Sequence, residues 1–63
     1  MANSLEITER AIKDFIKIQD FMVSAKQENA TETYEKLKKE YLSLKALLNV
    51  AGVNLTDIDR IKE

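Results

Sequence analysis

Apolar residues recur in the first half of the chain at Ala11, Phe15, Ile18, Met22 and Ala25, at alternating spacings of four and three. That rhythm gathers the side chains into one stripe along an α-helix, as the a and d positions of a heptad do. A second strip, Leu5, Ile12, Ile16 and Val23, lies about 100° round the same helix. With Ile7 and Phe21 added, the apolar arc exceeds half the circumference, wider than an ordinary surface helix shows. Helix 1 is therefore expected to touch more than one neighbour. The second half is more regular: Tyr34, Leu37, Tyr41, Leu44, Leu48 and Ala51 follow at spacings of three, four, three, four and three. Lys38 and Lys45 flank this stripe on one side, Glu40 and Leu47 on the other, and Leu42 lies off it.

The elements are bounded by capping residues, since proline is absent and glycine occurs once. Asn3 or Ser4 can cap a first helix, and Asn3 with Glu6 has the spacing of a capping box. Asn29 with Glu32 repeats it at the break "KQENATET", where Thr31 is a competing cap. Helix 1 is thus expected over about 4–27 and helix 2 over about 31–51. Their matched lengths, roughly 36 and 32 Å, and the short connection favour an antiparallel hairpin. Four pairs place an acid four residues before a base: Glu6 and Arg10, Glu9 and Lys13, Glu32 and Lys36, Glu35 and Lys39. They mark solvated helical faces.

Gly52 follows the second stripe, where a glycine in the left-handed conformation closes a helix. Asn54 can then cap a short third helix of about 55–62, with Val53 and Ile58 in the hydrophobic-staple arrangement. Leu55, Ile58 and Ile61 would fold back over the open end of the hairpin. The fold class expected for residues 1–63 is one all-α domain: two long helices and a short C-terminal third.

The same tail, "AGVNLTDIDRI" within residues 47–63, resembles the turn and second helix of helix-turn-helix repressors. Ala51, Gly52, Val53, Ile58 and Ile61 fall where that motif places its small, turn and core residues. The resemblance implies a small DNA-binding regulator whose tail helix reads DNA. The capping account covers the same residues without a partner.

A net charge of -1 argues against nucleic acid, which selects a clustered basic surface. The 63-residue chain has neither cysteine nor histidine. Serine or cysteine nucleophiles paired with histidine are therefore excluded within one chain, as are the common zinc and haem ligand sets. A lone glycine does not make a glycine-rich phosphate loop. No enzyme activity, cofactor or metal is expected. No apolar run has the length of a membrane span. The opening residues "MANSLEITER" carry no basic region followed by an apolar core, so a cytoplasmic location is expected. The sequons at Asn29 and Asn54 read as helix caps before glycosylation sites.

A chain this short buries only about 60% of its unfolded surface, and without disulfides or the common metal sites it needs either unusually good helix packing or oligomerisation. A non-enzymatic protein–protein interaction or oligomerisation module is the function expected. A homodimer forming a four-helix bundle is its simplest state, and a heterologous protein partner is the variant of it. The candidate interaction residues are Leu5, Ile12, Phe15, Ile16, Met22 and Val23, with Gly52 and Asn54 as structural turn residues. Two choices stay open: the Leu5–Val23 strip outside as the interface, or the Phe15–Met22 stripe as the dimer seam with the other strip inside the hairpin.

Overall fold

A computed structural model describes residues 4–63. Two helices, α1 (Ser4–Gln27) and α2 (Thr31–Val50), pack against each other as a hairpin, and the described residues contain no strand. The capping box at Asn3 lies outside the described residues. Phe15, Met22, Tyr41 and Leu48 are fully buried between the helices, with Ala11, Ile18 and Ala25 nearly so. These are the a/d residues of the two stripes, so the heptad rhythm seals the hairpin. Phe15 and Tyr41 stack with ring centroids 5.3 Å apart and planes 14° from parallel, a geometry that adds to simple burial. No described helix is long and apolar enough to cross a membrane.

Both helices end in the same way. Asn29 has φ 58°; its N–H bonds the carbonyl of Lys26 at 3.2 Å, and the N–H of Ala30 bonds that of Ala25 at 2.8 Å. Gly52 has φ 80°; its N–H bonds Asn49 at 3.1 Å, and Val53 bonds Leu48 at 3.0 Å. Each is a Schellman motif, in which one left-handed residue lets two N–H groups satisfy the last carbonyls. Asn29 therefore closes α1 and does not open α2, contrary to the sequence expectation. The residue at the N-cap of α2 is Ala30, whose side chain has nothing to bond with. Asparagine suits both jobs, because its short polar side chain tolerates the left-handed region.

The site a β-carbon would occupy on Gly52 has no atom within 4 Å. The cost of substitution there lies in the backbone alone, about 1–2 kcal/mol for the left-handed conformation. Gly52→Val is expected to lower the melting temperature by about 4–8 °C per kcal/mol lost. Gly52→Asn should be far milder, since Asn29 already fills the equivalent position. Equal melting of wild type and Gly52→Val would show that the turn is not needed to hold the tail.

The third helix does not form. Residues 55–59 make a single turn, in which the N–H groups of Ile58 and Asp59 bond the Leu55 carbonyl at 3.1 and 2.8 Å. Asn54 Oδ1 accepts from the N–H of Thr56 at 3.0 Å, as a cap would, but only that turn follows. The amides that would continue a helix are taken by side chains. Those of Arg60 and Ile61 donate to Gln19 Oε1 at 2.6 and 3.0 Å, and that of Lys62 to Asp59 Oδ1 at 2.9 Å. A segment this short is far below the length at which a helix holds itself, so tertiary bonds decide its path. The stretch resembling a recognition helix is therefore a turn and an irregular strap. Its apolar residues Val53, Leu55, Ile58 and Ile61 still pack against the core, together with Ile12 of α1.

Candidate interaction surface

Polar side chains from both helices hold the strap. Gln19 projects from α1 with no exposed surface. Its Nε2 donates to the carbonyls of Phe15 at 3.2 Å and Ile58 at 2.7 Å, while its Oε1 takes the two tail amides. All four of its hydrogen-bonding positions are filled, as a buried amide requires. On the α2 side, Asp59 is buried. Its Oδ1 accepts from the Tyr41 hydroxyl at 2.7 Å, and its Oδ2 lies 2.9 Å from Lys45 Nζ. Tyr41 Oη accepts in turn from the N–H of Glu63 at 3.1 Å, and Lys45 Nζ donates to the Glu63 carbonyl at 2.8 Å. Further out, the Glu63 carboxylate pairs with Lys38 at 2.8 Å and accepts from the Tyr34 hydroxyl at 3.2 Å. Arg60 pairs with Asp20 across to α1. No buried side-chain polar atom among the described residues lacks a partner.

This clasp sets the pH behaviour. Burial pushes the Asp59 carboxyl up, but bonds from Lys45, Tyr41 and the Lys62 amide outweigh it and hold its pKa below the ordinary 3.8. Burial and the bond to Asp59 push the Tyr41 hydroxyl above 10.0. The bond to Asp59 raises Lys45 above 10.5 against a smaller opposing effect of burial. A depressed carboxyl stabilises the fold above its unfolded pKa, and the gain is lost as pH falls through the folded value. A raised tyrosine or lysine stabilises it below its unfolded pKa, and the gain is lost as pH rises through the folded value. Melting temperature should therefore be level between about pH 5 and 9 and fall on both sides. A scan that keeps falling from neutrality, or that is flat down to strong acid, would contradict the clasp.

The expected interaction residues separate into three groups. Phe15 and Met22 have no exposed surface and lie inside the hairpin. Phe15 is covered by Tyr41, and the stripe that carries both residues faces α2. Ile12 is half-buried against the core. Leu5, Ile16 and Val23 remain exposed on the side of α1 next to the strap. There Val23 borders Met22, Arg60 and Ile61.

The other side of the hairpin holds an apolar face that sequence reasoning did not assemble. Ile18, Phe21 and Leu44 line a groove of about 530 Å³ between the helices, rimmed by Asp14, Lys17, Lys39, Glu40 and Ser43. No residue of the strap lines it. Phe21 is 49% exposed, and Lys17 Nζ stands 5.8 Å from its ring centroid, within cation–π range. Ile7, Asp14 and Phe21 are seven apart, as are Glu40 and Leu47, so Ile7 and Leu47 extend the same face along the helices. Ile7 is 53% and Leu47 47% exposed. The seven-residue spacing was the available signal. Phe21 and Ile7 belong to the wide apolar arc of helix 1, and Leu47 flanks the stripe of helix 2.

Among the described residues no group of three or more acidic side chains is placed to hold a metal ion. Comparison of the chain with protein-family models, curated proteins and solved structures finds no match.

Proposed function

We propose that this chain is a non-enzymatic helical module that works by protein–protein association, first with a second copy of itself in a four-helix bundle. The observation that carries the reading is apolar surface left over once the core is full. Leu5, Ile7, Ile16, Phe21, Val23 and Leu47 stay exposed although the hairpin and its strap already enclose Phe15, Met22, Tyr41 and Leu48. The hairpin is also open for its size. Its accessible surface is 4792 Å², against about 4,100 Å² for a typical folded monomer of 7.2 kDa. The radius of gyration, 12.3 Å, likewise exceeds the roughly 10.6 Å of a compact domain of this length. The buried polar groups are meanwhile engaged in holding the strap.

Association that stabilises the folded state makes melting depend on concentration. Thermal melts recorded from micromolar to millimolar protein should shift steadily upward. Superimposable melts across that range would refute self-association, and a heterologous partner would then be the form of the reading left to test.

A further inference from the structure

We infer that the open face between α1 and α2, on the side away from the strap, is the surface on which a second copy of this chain docks; the inference rests on the self-association proposed above. The two apolar sides of the hairpin are not equivalent. On the strap side, Ile58 and Ile61 already pack against the core, and the charges are already matched within the chain. Arg60 pairs with Asp20, Lys38 with Glu63, and Lys45 with Asp59. The open side has no such cover. Phe21, Ile18 and Leu44 form its apolar middle, and Ile7 and Leu47 prolong it.

The charges on the open face fit a second copy better than a partner of one sign. Near the middle, α1 presents Asp14 and Lys17, and α2 presents Lys39 and Glu40. Each helix thus brings one acid and one base. A two-fold axis that lays α1 against α1 of the second copy brings Asp14 to Lys17 of that copy, and the reverse. Unlike charges meet across that axis, so the α1 side of the face is complementary to itself, as a two-fold interface must be. An acidic or a basic partner would leave half of these groups facing like charge, which costs affinity.

The test is sedimentation velocity on the intact chain and on three variants, with circular dichroism to verify the helices. Phe21→Glu and Leu47→Glu alter the open face from different helices, so one remains informative if the other loses its helix. Val23→Glu makes the same change on the strap side. The wild type is expected to associate. Phe21→Glu should weaken association by about a hundredfold or more, because each change enters the dimer twice and a central apolar contact is worth about tenfold or more; Leu47→Glu, at the end of the strip, should weaken it by about tenfold. Val23→Glu should associate as the wild type does. If Val23→Glu dissociates the chain and the open-face variants do not, self-association stands and the choice of face is overturned. If the wild type sediments as a monomer at every concentration, the self-association reading itself fails.

Discussion

Phe15→Ala is expected to leave the chain largely unfolded at room temperature. The side chain has no exposed surface and stacks on Tyr41, the residue that also anchors the strap. Removing a buried phenylalanine costs about 3–5 kcal/mol, through lost transfer energy and the cavity left behind. A single small core rarely supplies more than about 3–5 kcal/mol in total, so no reserve remains. The neighbouring change, Ile16→Ala, should cost the hairpin only about 1–2 kcal/mol, since Ile16 is 40% exposed. Far-ultraviolet dichroism with urea titration separates the two. A folded Phe15→Ala beside an unfolded Ile16→Ala would mean that α1 is rotated and the other strip faces α2.

Asp59→Ala should be the most damaging single change in the strap, costing about 3 kcal/mol, at the low end for breaking a buried ion pair because Lys45 keeps some access to water. The change removes the acceptor of the Tyr41 hydroxyl and of the Lys62 amide, and the counter-charge of Lys45. Groups left unpaired in this way carry the penalty, more than the lost bonds do. The melting temperature should fall by about 12 °C or more. The fall on the acid side of the pH profile should shrink with it, because the titrating carboxylate is gone. An unchanged melting temperature would show that the strap contributes nothing to the fold.

How much of this was legible in the residues depends on which contacts decide each feature. The hairpin was legible because the stripe from Ala11 to Ala25 and the stripe from Tyr34 to Leu48 each follow one helical period, and burial of such stripes needs only the two helices. Gly52 was legible because few residues adopt its φ. Asn29 was not, since asparagine is favoured both at the start of a helix and in the left-handed residue that ends one. The tail misled for a different reason. Leu55, Ile58 and Ile61 fit a helical period, but the amides of Arg60 and Ile61 are claimed by Gln19, some forty residues earlier. Local pattern cannot weigh such a bond. A hint was present: Gln19 is a polar residue inside the apolar arc of helix 1, between Ile16 and Val23, and a polar residue there needs a partner. The open face was only half legible. The width of the arc announced a second neighbour, but the strap's path decides which side stays uncovered.

Sedimentation equilibrium of the unmodified chain tests self-association most directly, because it reads mass without regard to shape. The weight-average mass should climb with concentration from 7.2 kDa toward twice that value and level there, as a closed two-fold dimer requires. A mass of 7.2 kDa at every loading, with the helices intact, would contradict the account.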